Sequence, residues 1–346
     1  MPLLPVQRRF IFSSLILALS LMVAGRASAE LVWTPQTGWQ IEGGALAGAS
    51  SSDGQSALER MNKARAAEER GSKFWAIHHY KKVTKKYPNS IYAGEAQYRL
   101  GNIRLDKKQY GKAFECFQII ATHYPNTNRF DEIIGKQYHI AATLLNGGRG
   151  RILSIFPGFT NREKALEYME IIIFEAPYSD YAPLALMSVA NGHRYFGNEQ
   201  DAIDALDRMI NTYPQSVLTP EAYLKIGQAH SELVDGAYYD QGSTRDAITY
   251  FEDFMILFPG DNNVVQAEKG LTDMKLVLAD SKIKIADFYF YDRANYKAAK
   301  VFYNEAITIY PSSSAATLAQ QRLTEVEAAV AKSAAAPAKK KRFFFF

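Results

Sequence analysis

Small and large apolar residues recur along the chain with one fixed spacing. In six places an alanine stands four residues before a large apolar or aromatic residue and twelve residues before a proline. The alanines are Ala76, Ala113, Ala165, Ala202, Ala247 and Ala299, and the large residues are Tyr80, Phe117, Met169, Leu206, Phe251 and Tyr303. Residues four apart lie on the same face of a helix. The pattern therefore predicts paired helices that approach closely at the alanine and fill the gap one turn later.

A proline closes each copy of this pattern. The pairs are Tyr87-Pro88, Tyr124-Pro125, Ala176-Pro177, Tyr213-Pro214, Phe258-Pro259 and Tyr310-Pro311. Proline disfavours helical geometry in the residue before it and has no N–H to donate, so we predict that a helix ends at each pair. The intervals between these prolines are 37, 52, 37, 45 and 52 residues, which indicates a 37-residue unit with insertions.

Each insertion has its own character. Glycine and proline break the helical pattern over 146–161, and a shorter insertion covers 235–243. Residues 264–291 keep helical apolar spacing without proline, which predicts one long helix. Residues 314–332 predict a polar-faced helix that caps the array.

These features resemble the tetratricopeptide-repeat family over about residues 57–312, with Leu100-Gly101 on a first helix and Ala113, Phe117 and Pro125 at the expected spacing. The predicted fold is all-α, a tetratricopeptide-repeat superhelical solenoid with about six helix pairs. We divide the chain into a signal peptide (1–29), a flexible linker (30–56), the solenoid with its capping helix (57–332) and a basic, aromatic tail (333–346).

The N-terminus has the pattern of a secretory signal peptide. Arg8 and Arg9 precede an apolar run over 10–23, and small residues lead to Ala29, after which we expect cleavage. An uncleaved anchor is the alternative. The single cysteine, Cys116, lies in an apolar helix pattern and is predicted to be a buried core residue. No cysteine stands near the cleavage site, so we expect a periplasmic protein without a lipid.

Composition excludes several classes of function. The chain is 47% hydrophobic and 22% charged, which is ordinary for a packed protein. Its formal charge of +4 depends on cations in the signal peptide and the tail. Without these two segments the chain holds 33 basic and 36 acidic residues. We therefore expect no nucleic-acid partner. The histidines lack metal-ligand spacing, since His78 and His79 are adjacent, and no catalytic motif is present, so we expect no enzyme activity, metal or cofactor.

Polar residues recur in the first helix of the copies, one position after the Leu-Gly step or its equivalent. They are Arg65, Asn102, His139, Asn191 and Gln228, with Phe288 in the sixth copy. In the tetratricopeptide family this helix lines the concave groove, so these side chains would bind an extended peptide. Arg194 would face the same groove and pair with a carboxylate. The alternative is that these positions are only solvated.

Residues 246–311 also resemble the BamD family, helical-repeat components of the machinery that folds β-barrels into the bacterial outer membrane. The segments that carry this resemblance are Thr244-Arg245-Asp246-Ala247, Phe258-Pro259, Ala286-Asp287-Phe288-Tyr289 and Tyr310-Pro311. The insertion over 144–165 is also similar to a loop of that family. The resemblance implies that the groove and insertion receive the aromatic C-terminal carboxylate segment of unfolded outer-membrane clients. It also implies that Tyr289, Arg293 and Tyr296 dock the barrel-forming subunit, with Phe302 where some relatives have a second arginine.

The resemblance thus implies outer-membrane barrel assembly subunits and unfolded clients as partners, at the inner face of the outer membrane. The family usually carries a lipid-anchoring cysteine after the signal peptide, where this chain has Ala29-Glu30. The tail, with four cations before Phe343–Phe346, has three open interpretations: contact with an anionic membrane surface, occupation of the peptide groove, or a silent terminus. A periplasmic scaffold for cell-wall or division proteins remains the alternative function.

Overall fold

The computed structural model describes residues 30–42, 52–152, 156–239 and 241–335. The predicted signal peptide and residues 336–346 of the tail lie outside these ranges. The chain forms two compact units that divide between Asn161 and Arg162. We call them unit 1 and unit 2 and describe each by itself.

The described ranges contain thirteen α-helices, twelve that belong to the repeats and one that follows them. In unit 1 they are α1 (Ser52–Glu69), α2 (Lys73–Lys86), α3 (Tyr92–Asp106), α4 (Tyr110–His123) and α5 (Phe130–Leu145). In unit 2 they are α6 (Arg162–Glu175), α7 (Tyr181–Tyr195), α8 (Glu199–Thr212), α9 (Thr219–Glu232), α10 (Gly242–Leu257), α11 (Val264–Asp287), α12 (Tyr296–Ile309) and the additional α13 (Ser314–Ala335). This architecture is the predicted all-α tetratricopeptide-repeat solenoid.

The alanine and large-residue pattern forms the core of the repeats. All six alanines are fully buried, and so are their six large partners apart from a trace of exposure at Phe251. Glycine lets a neighbouring helix approach these rings, because a Cβ at Gly101 would lie 2.7 Å from Cε1 of Phe117. In the same way, a Cβ at Gly227 would lie 2.8 Å from Cε1 of Phe251. The regular spacing of alanines and large residues in the sequence therefore marks the positions at which neighbouring helices pack.

The aromatic-proline pairs end helices and also connect neighbouring repeats. The backbone leaves helical geometry at Tyr87, Tyr124, Tyr213, Phe258 and Tyr310, as the prolines predict. In unit 1 the hydroxyl of Tyr124 donates to the carbonyl of Pro88 at 2.6 Å. In unit 2 the hydroxyl of Tyr213 donates to the carbonyl of Pro177 at 2.6 Å. The tyrosine of one repeat thus bonds the backbone that closes the repeat before it.

The predicted flexible linker over 30–56 is wrong for its two described parts. Residues 30–42 form an antiparallel hairpin of β1 (Glu30–Thr34) and β2 (Gly38–Glu42), in which Trp33 faces Trp39. Trp39 is buried against α1, and its backbone N–H donates to Oδ1 of Asn62 at 3.1 Å. The remaining part, from Ser52, already belongs to α1. The alternation of apolar and polar residues over 38–42 and the run of Leu31, Val32 and Trp33 before it are strand signals in the sequence.

The insertions and the capping helix only partly follow the predictions from the sequence. The first contains a short hairpin of β3 (Arg151–Ile152) and β4 (Phe156–Pro157), which no sequence pattern predicted. The predicted long helix over 264–291 is confirmed as α11, although its last turn, Phe288–Asp292, is a π-helix. The predicted capping helix is confirmed as α13 and extends three residues further, to Ala335.

The single cysteine is buried in unit 1, as predicted. Cys116 is 1% exposed and lies in the core formed by α1, α2 and α3. Burial raises the pKa of its thiol to about 11, although Arg104, whose Nη1 lies 3.1 Å from Sγ, opposes this shift. The thiol therefore stays protonated and unreactive near neutral pH.

The packing of Phe117 on α3 predicts opposite effects for two glycines of this helix. Replacing Gly101 with alanine would place a Cβ 2.7 Å from the fully buried ring of Phe117, so we expect Gly101→Ala to destabilise the protein by about 1–2 kcal/mol. At Gly94 the nearest atom, Cγ of Tyr124, would lie at an ordinary 3.5 Å. Because alanine favours helices, Gly94→Ala should stabilise by up to about 1 kcal/mol.

Urea unfolding of the two variants, followed by circular dichroism, measures both changes. Gly94→Ala is the matched control, because it makes the same substitution in the same helix without the close contact. Equal stabilisation by both variants would contradict the inferred packing of Phe117 against the α3 backbone.

Candidate peptide-binding and docking sites

The predicted groove residues of unit 1 lie on its first helices, which contact one another through polar side chains. Nζ of Lys136, on α5, donates to Oδ1 of Asn102, on α3, at 2.5 Å. The hydroxyl of Tyr98 donates to Glu132 across the same two helices at 2.6 Å. His139, one turn further along α5, is exposed. The side-chain oxygen of Asn102 therefore already accepts a hydrogen bond from the protein.

Arg65 contacts the N-terminal hairpin of the chain itself. Its guanidinium lies 4.3 Å from the centroid of the Trp33 ring. It also forms ion pairs with Glu69 at 3.2 Å and Glu68 at 3.6 Å. Residue 33 lies in the predicted linker, for which the sequence predicts no contact. The N-terminal hairpin therefore lies directly beside Arg65, the first of the predicted groove residues.

Unit 1 also contains a pocket that the sequence did not reveal. Its volume is about 680 Å³, within the range of small-ligand sites. The turns that follow α2 and α4 form much of its wall, with Leu31 of β1 and Glu95 and Tyr98 of α3. The lining residues are Leu31, Ser90, Ile91, Gly94, Glu95, Tyr98, Ile120, His123, Tyr124, Pro125, Asn126, Thr127, Asn128, Arg129 and Ile133. The wall is therefore both aromatic and charged.

Arg129 lines this pocket, and Arg99 and Lys136 lie close to its lining residues. Glu95 accepts a bond from Nη1 of Arg129 at 2.7 Å and from Nε of Arg99 at 2.8 Å, so two guanidinium groups share one carboxylate. The cations of Arg129 and Lys136 lie 4.7 and 4.8 Å from the centroid of the Tyr98 ring. The guanidinium of Arg129 beside the ring of Tyr98 suits an anionic group on an aromatic ligand.

Glu132 balances part of this charge. Partial burial acts to raise its pKa, but hydrogen bonds from Tyr98 and Lys136 outweigh burial, and the pKa of Glu132 is lowered. Its carboxylate therefore stays ionised at neutral pH and holds Lys136, 2.9 Å away, near the ring of Tyr98.

In unit 2 the predicted groove residues have different surroundings. Asn191, on α7, is exposed, and Gln228, on α9, is half-buried. Arg194 forms ion pairs with Glu232 and, at 3.4 Å, with Glu199. Burial, and then the charge of Glu232, raise the pKa of Glu199. Two carboxylates therefore already accompany Arg194, which leaves Asn191 as the most accessible of the three predicted positions in this unit.

The predicted docking residues surround the π-helical turn at the end of α11. The ring of Tyr289 stacks on Phe302 of α12 with centroids 5.6 Å apart and an interplanar angle of 2°. Tyr296 packs edge-on against Phe290 at 6.0 Å. Arg293 is exposed, and its guanidinium lies 5.1 Å from the centroid of the Phe288 ring. The structure thus brings all three predicted residues into one aromatic cluster.

Hydrogen bonds fix the shape of this segment. The π turn is closed where N–H of Arg293 donates to the carbonyl of Phe288 at 3.2 Å. The side chain of Asn295 caps α12 by accepting from N–H of Ala298, also at 3.2 Å. The buried hydroxyl of Tyr303 donates to Asp287 at 2.5 Å, and this joins the end of α11 to α12. The exposed side chains are therefore held on a defined backbone.

Two further observations concern the described residues as a whole. Among them, no group of three or more histidine, cysteine, aspartate or glutamate side chains could hold a metal ion. No helix in the same ranges is long and apolar enough to cross a membrane.

Parts of the chain are similar to known protein families. Residues 158–342 match the family described as YfiO, outer membrane lipoprotein, and residues 95–127 match a tetratricopeptide repeat. The outer membrane protein assembly factor BamD of Xylella fastidiosa (strain 9a5c) is 24% identical over 153 residues, which are 41% of this chain and 52% of the relative. BamD of Rickettsia prowazekii (strain Madrid E) is 24% identical over 163 residues, 47% of this chain and 64% of the relative.

The chain spans about half the length of the Xylella relatives it matches. Two solved structures are also similar. One is MamA, with a TM-score of 0.31, 18% identity and coverage of 60% of this chain and 93% of MamA. The other is a tetratricopeptide-repeat protein of Bacteroides fragilis NCTC 9343, with a TM-score of 0.36, 13% identity and coverage of 79% and 98%.

The match over 158–342 includes every described element of unit 2, with the exposed aromatic turn and the capping helix, and it extends over more than half of the chain. The chain therefore belongs to the YfiO outer membrane lipoprotein family.

Proposed function

We propose that this protein binds polypeptides without catalysing a reaction and acts in the assembly of β-barrel proteins into the outer membrane. The observation that carries the proposal is the family match over 158–342, supported by relatives named as outer membrane protein assembly factors. We place the protein in the periplasm, at the inner face of the outer membrane. Its partners would be the barrel assembly subunits and unfolded barrel clients.

The pocket of unit 1 is the proposed site for the end of a client chain. A client segment that ends in an aromatic residue and a free carboxylate needs an apolar surface beside a cation. Ile91, Tyr124 and Ile133 supply apolar surface in the pocket, and Arg129 supplies a partly exposed guanidinium. Because Glu95 also pairs with Arg99, Arg129 can bind a second carboxylate without leaving Glu95 unpaired.

Asn191 and Gln228 of unit 2 are proposed to bind the backbone of an extended segment. Carboxamides both donate and accept hydrogen bonds, which matches the alternating N–H and C=O groups of a peptide. We propose the same for Asn102 and His139 in unit 1. For Arg65 and Arg194 to contribute, a ligand would have to compete with their present ion pairs.

The aromatic cluster around the π turn is the proposed docking surface for the barrel-forming subunit. Phe288 and Tyr291 are 42% and 54% exposed, and Arg293 is exposed beside them. Among the described residues, no carboxylate forms an ion pair with Arg293. Aromatic and arginine side chains are the types enriched at interface hot spots, and a fixed backbone limits the entropy lost on binding.

Depletion of the protein in its own cell tests the proposed function. We expect the amount of folded β-barrel protein in the outer membrane to fall before cell division is affected. A septation defect with normal barrel levels would refute the proposal and favour a scaffold for cell-wall or division proteins.

Replacing Arg129 should weaken binding of a client peptide that has a free C-terminal carboxylate. We expect Arg129→Gln to reduce the affinity for an aromatic-ended peptide about tenfold, because one charge-assisted hydrogen bond is lost. The affinity for the same peptide with an amidated C-terminus should not change. Fluorescence anisotropy of labelled peptides measures both affinities.

Arg208→Gln is the control for this variant. Arg208 also pairs with a glutamate, Glu170, at 2.8 Å, but it lies on α8 in unit 2. If both variants bind the two peptides equally well, Arg129 does not bind the carboxylate.

Reversing the charge of Arg293 should disrupt docking without unfolding the protein. We expect Arg293→Glu to reduce capture of the large barrel-forming subunit from solubilised envelopes by about tenfold or more, since the exposed arginine lies at the centre of the proposed surface. Lys269→Glu makes the same charge change at an exposed position near the other end of α11. Equal capture by the two variants would remove Arg293 from the docking surface.

A further inference from the structure

The outward side of α2 combines aromatic and basic residues. Ala76, Tyr80 and Val83 bury the opposite side of this helix in the core of unit 1. The outward residues follow helical spacing and form what we call the α2 outer face: Phe74, Trp75, His78, Lys81, Lys82, Lys85 and Lys86. From Phe74 to Lys85 this face is about 17 Å long.

Two large rings are exposed at the start of the α2 outer face. Phe74 is 69% exposed and Trp75 is 54% exposed. Their rings meet edge to face, with centroids 5.5 Å apart and planes at 81°. His78 packs against Trp75 in the same way at 5.6 Å. An exposed aromatic group of this kind on a packed helix indicates contact with another surface.

Positive charge is concentrated on the rest of this face. None of the 14 residues of α2 is acidic. Among the described residues, no carboxylate forms an ion pair with Lys81, Lys82, Lys85 or Lys86, whereas Lys73, at the start of the helix, pairs with Asp106 at 3.1 Å. The face therefore carries four uncompensated lysines.

Cations of the neighbouring helix α1 also act on a residue of α2. The pKa of His79 is lowered mainly by burial, then by the charge of His78 and by the cations of Arg60, Lys82 and Lys63. Of these, Lys63 pairs with Glu59. The net charge of the chain does not reveal this local excess of lysines on α2.

We propose that the α2 outer face binds an anionic phospholipid surface. Trp and Phe side chains favour the boundary between headgroups and acyl chains, and lysines beside them attract anionic headgroups. The helix is already folded by its contacts in unit 1, so binding does not have to supply the free energy of helix formation. The inference rests on the location at the outer membrane proposed above, where such a surface would lie near the protein.

The ring geometry favours lipid over a nucleic acid as the partner. Single-stranded nucleic acids stack successive bases on aromatic side chains. The perpendicular rings of Phe74 and Trp75 do not offer two parallel faces for adjacent bases. Insertion between lipid headgroups needs no such alignment.

Co-sedimentation of the full chain with vesicles tests the proposal. We expect binding to vesicles of phosphatidylglycerol and phosphatidylcholine, and little binding to phosphatidylcholine alone. Replacing Lys81, Lys82, Lys85 and Lys86 together with glutamine should reduce binding about a hundredfold or more, since each lysine near an anionic surface contributes about fivefold. The double variant Phe74→Ser, Trp75→Ser should reduce it about tenfold.

The control replaces Lys112, Lys269, Lys297 and Lys332 with glutamine. These lysines are exposed, and none has an ion pair among the described residues, so the net charge changes equally without altering α2. The control should bind as the parent does. Both variants keep the basic tail, so the difference between them isolates the α2 outer face.

Quenching by brominated phospholipids locates the contact. We expect the fluorescence of the parent to be quenched on anionic vesicles, and the quenching to fall in Trp75→Phe. The proposal is overturned if the parent does not bind anionic vesicles, if the two lysine variants bind equally, or if the protein binds single-stranded oligonucleotides through α2 while ignoring vesicles.

Discussion

Close contact between a small residue and a large one holds each helix pair together, and the remaining features depend on it. The fully buried ring of Phe117 lies so near the α3 backbone that Gly101 has no room for a Cβ. Phe251 is packed in the same way, with Gly227 on one side and Gly270 on the other. Because protein interiors are densely packed, such contacts leave little freedom in the relative position of two helices. Side chains on neighbouring helices therefore keep fixed distances.

Those fixed distances allow hydrogen bonds between consecutive repeats. The hydroxyls of Tyr124 and Tyr213 each reach the carbonyl of a proline 36 residues earlier. A proline has no N–H, but its carbonyl remains a full acceptor. The same residue pair thus ends one helix and fixes the next repeat. The turns held in this way form part of the pocket wall in unit 1, where Tyr124 and Pro125 lie.

The surfaces of the two units differ in how their charges are arranged. In unit 1 two arginines meet one carboxylate at Glu95. In unit 2 the ratio is reversed at Arg194, which meets two glutamates. Such local arrangements determine the sign of the charge that a ligand encounters, and the net charge of the chain does not report them.

The sequence by itself determined the repeat architecture. Helix contacts and helix ends are local events set by residues four or twelve apart, so the positions of Ala113, Phe117 and Pro125 predicted the core correctly. The long α11 and the capping α13 followed from the same periodicity. The burial of Cys116 followed as well.

Only the tertiary structure decided which polar side chains are open to a ligand. Three contacts decide this, and each joins residues far apart in the sequence. They are Trp33 with Arg65, Asn102 with Lys136, and Arg194 with Glu232, which are 32, 34 and 38 positions apart. The basic face of α2 likewise depends on which side of that helix the core buries. Helical spacing predicts which residues share a face, but the partner that a polar side chain chooses depends on distances between separate elements, and these arise only when the repeats pack.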